Sequence, residues 1–187
     1  PVEAVYSGSL MMLRGIEMSE VRKCDIKFDG VAHDVNCKEG MLFGMQLVRR
    51  LRRRAGQSFG TVCSIWVFMS RSSTGRYEFA PLGVQPRTPV VEAANRMVSF
   101  VALIMLWSTA LDVSFILEQP ATSIMYLHPR MQQVAKWFGD KWTEVRTHMG
   151  AFGAPTPKAT NLYSGHSYVK MLQRTLTAGM IKEMDPH

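Results

Sequence analysis

The chain has 187 residues, of which 47% are apolar, 10% aromatic and 20% charged, enough for one sizeable core and short of two full domains. That composition excludes a disordered tail, a collagen-like fibre and a disulfide-stapled miniprotein. The formal net charge of +7 suits nucleic acid, an anionic membrane face or an acidic partner, without choosing among them.

The surplus of positive charge sits toward the two ends. Residues 1–60 hold ten basic against seven acidic residues and residues 121–187 eight against four, while 61–120 balance. Three cysteines, Cys24, Cys37 and Cys63, form no CxxC pair. This argues against a secreted disulfide framework and predicts an intracellular, reducing compartment; nuclear or organellar residence would suit a basic nucleic-acid binder. The first residues lack the basic, apolar and small-residue order of a signal peptide. The 14 methionines read as adaptable packing.

In chain order, Val2–Tyr6 predicts a strand, Leu10–Met18 a short helix and Glu20–Ile26 a second strand. Met41–Ala55 predicts the clearest helix: Met41, Met45, Val48 and Leu51 recur every three to four residues, arginines fill most of the other face, and Gly56 stops it. Gly60–Phe68, GTVCSIWVF, reads as a buried strand. The polar stretch 70–89, with its prolines and glycines, reads as a long loop of the kind that carries function.

The longest apolar run, Met97–Leu117, is interrupted by Ser99, Ser108, Thr109, Asp112 and Ser114. It predicts the end of a buried helix over Val90–Ala110, a turn at Leu111-Asp112 and a buried strand over Val113–Leu117, rather than a membrane span. Thr122–Phe138 reads as helix restarted at Pro129, Trp142–Met149 as a strand, Gly150–Thr160 as a loop and Tyr168–Ala178 as a closing helix. Alternating strands and helices predict one α/β domain over 1–187, Rossmann-like, with a mainly parallel sheet and helices on both faces.

In open α/β sheets ligands bind beyond the carboxyl ends of the strands. Those ends gather Tyr6-Ser7-Gly8, Asp25, Cys63-Ser64 and Glu118-Gln119-Pro120: a glycine turn, an acid, a thiol and a carboxylate after an apolar run. Four segments carry a family likeness: AVYSGSLMMLRGIEMSEVRKCDI, VCSIWVFMSRSSTGR, FILEQPATSIMYLHPR and MGAFGAPTPKATNLYS. Through them the chain resembles the cytosine-C5 DNA methyltransferase-like proteins of the class I methyltransferase fold, in a divergent set abundant in protists such as dinoflagellates. The Glu-x-Pro-x-x-Ser segment with the Lys-x-Thr loop is the most specific part of the match.

The resemblance implies that Tyr6, Ser7 and Gly8 receive S-adenosylmethionine and that Asp25 holds its ribose. It implies that Cys63 is the nucleophile and that Glu118 grips the target base. In such chemistry a thiolate attacks the ring carbon next to the methyl acceptor, while a carboxyl group hydrogen-bonds the ring nitrogen and amine. The sequence departs from the family pattern in several places. Leu10, Met11 and Met12 stand where the cofactor loop carries glycines, and their bulk would crowd the backbone that approaches the cofactor. Val62 replaces the proline before the thiol, no segment is long enough for a target-recognition domain, and the late basic signature is reduced to Lys158.

Plainer readings stand beside these. Cys63 also fits a buried structural cysteine. Glu118 also fits a carboxylate paired with Arg71, Arg76 or the Ser123 turn, and Asp25 a cap on the next turn. Arg49, Arg50 and Arg53 read as a solvated helix face or, with Arg71, Arg76 and Lys158, as contacts to a phosphate backbone. Cys24, His33 and Cys37 have loose metal-like spacing without a fourth ligand, so no metal is predicted. Two functions follow: a degenerate methyltransferase-like domain that binds RNA or protein subunits in a larger assembly, or an active S-adenosylmethionine-dependent methyltransferase on a nucleic-acid base, DNA or RNA.

Overall fold

The structure, a computed structural model, describes residues 2–4 and 30–184. The expected helix over Leu10–Met18 and strand over Glu20–Ile26 lie outside the described residues. Among the described residues five strands form one sheet in the order β1-β2-β3-β5-β4. β1 (Val2–Ala4), β2 (Gly56–Gly60) and β3 (Ser114–Pro120) run parallel. β5 (Ala159–Ser164) runs antiparallel to β3 on one side and to β4 (Thr143–His148) on the other. The fold is therefore mixed α/β, and the expectation of a mainly parallel sheet is corrected. The link 149–158 between β4 and β5 holds only a 3-10 turn at Met149–Phe152, too little for the crossover of about a dozen residues or more that a parallel pair needs.

Among the described residues three helices cover one face: α1 (Lys38–Arg50) before β2, α2 (Pro89–Ala110) between β2 and β3, and α3 (Pro129–Phe138) after β3. Each starts at a side chain that takes an orphan amide. Cys37 Sγ accepts from the Gly40 N–H at 3.5 Å, Thr88 Oγ1 from Val91 at 3.4 Å and His128 Nδ1 from Arg130 at 3.1 Å. Pro89 and Pro129 occupy first helical positions, where a missing N–H does no harm. A short helix, α4 (Ala178–Met184), lies near the end of the described chain.

α2 is long and apolar enough to cross a membrane by length and composition, yet half of its apolar window is buried. It is the core helix, with Val98, Val101 and Met105 almost wholly enclosed beside Phe115 and Leu117 of β3. The turn at Leu111-Asp112 follows it as expected, Asp112 taking φ +60°. Strand alternation puts Phe115, Leu117 and Gln119 toward the helices and Ile116 and Glu118 toward the opposite face. On that face Ile116 packs on a second cluster, Val145, Met149, Leu162 and Val169.

Other boundaries differ from the sequence reading. The helix expected over Met41–Ala55 ends at Arg50, where Leu51 turns extended; Arg54 takes φ +63° and its N–H bonds the Asp112 carbonyl at 2.6 Å. The strand expected at Gly60–Phe68 lies at Gly56–Gly60, and the residues after it form a turn. The closing helix expected over Tyr168–Ala178 is a 3-10 helix, Ser167–Leu172, followed by extended chain into α4.

Candidate functional site

β2 and β3 place Gly60 opposite Glu118, so Thr61–Cys63 leaves the sheet beside the carboxyl end of β3. Glu118 is buried, 7% exposed, and its Oε1 lies 3.0 Å from Lys158 Nζ. The ammonium compensates the desolvation that an isolated buried carboxylate would suffer. Lys158 is itself positioned by its carbonyl, which accepts from the Met149 N–H at 2.9 Å and the Thr160 hydroxyl at 3.3 Å. This pairing replaces the partners Arg71, Arg76 and the Ser123 turn that the sequence suggested for Glu118.

Gln119 takes the Ser123 turn instead. Its Nε2 donates to Thr61 Oγ1 at 2.6 Å and to the Glu118 carbonyl at 2.8 Å, and its Oε1 accepts from the Ser123 hydroxyl at 3.0 Å. Ser123 Oγ in turn accepts from the Met125 N–H at 3.2 Å. This buried network fastens the end of β2 to the segment leading into α3. Cys63 is half-buried in the turn so held, its carbonyl accepting from the Trp66 N–H at 2.9 Å.

The next layer is built on Arg76, only 1% exposed. Its guanidinium stacks on the Trp66 ring at 3.5 Å, Nη1 donates to the Pro81 carbonyl, and Nη2 donates to the Val91 carbonyl at 3.1 Å. Burial, with Arg87 nearby, pushes its pKa down to about 10. Arg76 therefore anchors the 70–89 stretch from inside and does not present a surface to a phosphate. His128 meets Trp66 edge-on at 5.9 Å, and burial, reinforced by Arg76 and Arg130, pushes its pKa down to about 4.

Of the other residues singled out by sequence, Tyr6, Ser7, Gly8 and Asp25 lie outside the described residues, as does Cys24. Arg49 and Arg50 are exposed and line a shallow recess of about 340 Å³ with Gln46. Arg53 pairs with Asp112 at 3.5 Å. All three precede β2, whereas Cys63 follows it. Five residues at about 3.3 Å each separate the two edges by roughly 16 Å. Arg71 sits over Phe68 at 4.8 Å and pairs with Glu78 at 3.7 Å. His33 stacks on Phe43 at 4.4 Å, and Cys37 caps α1 while its thiol donates to the Asp34 carbonyl at 3.0 Å. No group of three His, Cys, Asp or Glu suited to a metal occurs among the described residues.

The sequence reading missed a groove of about 720 Å³ between α1, α2, α3 and the 82–87 segment, with Arg87, Arg96 and Arg130 in its lining. These arginines come from three separate elements, so no local motif announces them. The sheet's carboxyl edge holds an ion-paired carboxylate at Glu118 and, three residues beyond its partner Gly60, the turn that carries the Cys63 thiol, joined by a buried polar network. Comparison with protein-family models, with curated protein sequences and with solved structures finds no match for this chain.

Proposed function

We propose that the chain is a methyltransferase-like α/β domain that binds RNA as a subunit of a larger assembly and does not catalyse. The observation that carries this reading is the Lys158–Glu118 pair at 3.0 Å. A carboxyl group that grips a base must offer its oxygens, and its proton where needed, to the ring nitrogen and amine. Glu118 instead gives an oxygen to a charge-assisted bond with the Lys158 ammonium. Support also comes from the placement of Arg49 and Arg50, exposed at the edge of the sheet away from Cys63, where a phosphate backbone can lie without reaching the thiol.

The second reading is an active cytosine-C5 methyltransferase with Cys63 as nucleophile, favoured by the register that sets Gly60, three residues before Cys63, opposite Glu118. S-adenosylmethionine would supply the methyl group in that case. The residues that the resemblance assigns to it, Tyr6, Ser7, Gly8 and Asp25, lie outside the described residues, and β1, which precedes them, runs parallel to β2.

A paired experiment separates the two. Fluorescently labelled single-stranded RNA is titrated at several salt concentrations against wild type and the Arg49→Gln/Arg50→Gln variant. Two phosphate contacts at about 0.7 each predict that the slope of log affinity on log salt flattens by about 1.4 in the variant. In parallel, tritiated S-adenosylmethionine is incubated with RNA and DNA. Methyl transfer that Cys63→Ser abolishes with the fold intact would overturn the non-catalytic reading. An unchanged salt slope would overturn the assignment of RNA to this edge.

A further inference from the structure

The groove between the helices is placed and lined unlike the sheet edge. Its apolar side is formed by Leu82, Phe100 and Leu103, with Leu103 half exposed. Around it stand Arg87 from the loop, Arg96 from α2 and Arg130 from α3, and among the described residues no acidic one lines it. Among the described residues none of these arginines forms an ion pair. Among the described residues the Arg96 side chain has no hydrogen-bond partner, and the Arg87 side chain uses only Nε, donating to the Gly83 carbonyl at 3.2 Å. Arg130 is steadied by Gln133, to whose Oε1 Nη1 donates at 3.0 Å.

Guanidinium groups from three elements share this lining with no acidic partner among the described residues, an arrangement that favours a bound anion. The guanidinium fork matches phosphate oxygens in particular. A volume of about 720 Å³ falls within the range of small-molecule sites, and an apolar floor with a few convergent polar groups is their usual make-up. The cavity thus holds more than a bare phosphate and offers the remainder of the ligand a flat apolar surface.

We propose that this groove binds a nucleoside phosphate, with the phosphate between Arg87, Arg96 and Arg130 and the base against Leu82, Phe100 and Leu103. The site is separate from the RNA edge and does not depend on it. His128 lies in the same lining with Nδ1 accepting from the Arg130 N–H, so the neutral ring carries its proton on Nε2.

The test is calorimetric titration of AMP, ATP and inorganic pyrophosphate into the full chain. Wild type is expected to bind ATP and to bind pyrophosphate at least tenfold more weakly. Arg96→Gln/Arg130→Gln, two exposed substitutions, should weaken ATP at least tenfold. Leu103→Gln should weaken both nucleotides without affecting pyrophosphate. NMR titration should show the His128 pKa raised by saturating ATP. No nucleotide binding at about 5 mM by folded wild type, undiminished binding in the double arginine variant, or equal affinity for pyrophosphate and ATP would each overturn the proposal. Arg49→Gln/Arg50→Gln should leave ATP binding unchanged, so loss of the RNA edge and loss of this groove are read separately.

Discussion

Acid should unfold this protein through His128 before its surface carboxylates account for the loss. The ring is 3% exposed, meets Trp66 edge-on, and accepts the Arg130 N–H. Burial first, then the Arg76 and Arg130 charges, lowers its pKa from 6.5 to about 4. The unfolded chain takes up a proton near pH 6.5, whereas the folded chain resists until about pH 4. The contribution to stability is therefore complete above pH 6.5 and lost as the pH falls through 4. At about 1.36 kcal/mol for each tenfold change in proton affinity, the gap between 6.5 and about 4 corresponds to about 3 kcal/mol. The assay is urea unfolding followed by tryptophan fluorescence between about pH 7.5 and 4.5, for wild type and His128→Asn. Asparagine can accept the Arg130 N–H and is a favoured cap, so the variant should lose only the ring contact, about 1 kcal/mol, at neutral pH. Its stability should then fall with acid by about 2–3 kcal/mol less than wild type. Parallel curves for the two proteins would refute the reasoning.

Three further perturbations probe the surroundings of the site. Arg76→Met keeps an apolar stem but loses the Trp66 stack and the bonds to the Pro81 and Val91 carbonyls. It should destabilise by about 2–4 kcal/mol and speed chymotrypsin cleavage at half-buried Tyr77, and unchanged protease protection would count against the anchor. Gln119→Leu leaves the buried Thr61 and Ser123 hydroxyls short of a partner, and should lower stability in urea by about 2–4 kcal/mol with little change in slope. At Gly165 an added methyl would overlap the Phe138 ring, so Gly165→Ala should cost about 1–3 kcal/mol and alter the near-ultraviolet circular dichroism of the aromatic cluster.

The parts legible in the sequence are those where burial and local geometry agree. The run Met97–Leu117 resolves into helix, turn and strand because its polar interruptions and Asp112 mark the turn, and Pro129 marks the first residue of α3. GTVCSIWVF misleads because its apolar character has a different cause. Trp66 is buried beneath Arg76, in a turn, and strand propensity cannot distinguish that from burial within a sheet. β5 hides for the opposite reason: ATNLYS is polar, yet it lies between β3 and β4, where Thr160 and Ser164 are buried by neighbouring strands. At the site, Glu118 can be picked out as an acid after an apolar run, but Lys158 is forty residues away and meets it only through the β3–β5 pairing. Arg76 reads as one more surface cation, since nothing local records that two carbonyls and a tryptophan ring await it.

The placement of charge bears directly on the choice between a modifying and a binding role. An enzyme that acts on a base must hold the phosphates flanking it, because position rather than affinity governs reaction at the thiol. Among the described residues, the basic groups that the sequence placed around Cys63 have other engagements: Lys158 pairs with Glu118, Arg71 with Glu78, and Arg76 is enclosed under its carbonyl partners. The exposed arginines of α1 stand at the far edge of the sheet, and Arg87, Arg96 and Arg130 turn into a groove of their own. The length of β2, roughly 16 Å, separates the edge that α1 leads into from the edge where the Cys63 turn begins, more than a side chain spans. Lys158→Met puts this to the test. If Glu118 is kept from a base only by its ammonium partner, the variant should gain cytosine-dependent methyl transfer. If backbone binding and the thiol are separated as the charges indicate, it should gain none while RNA binding through α1 persists.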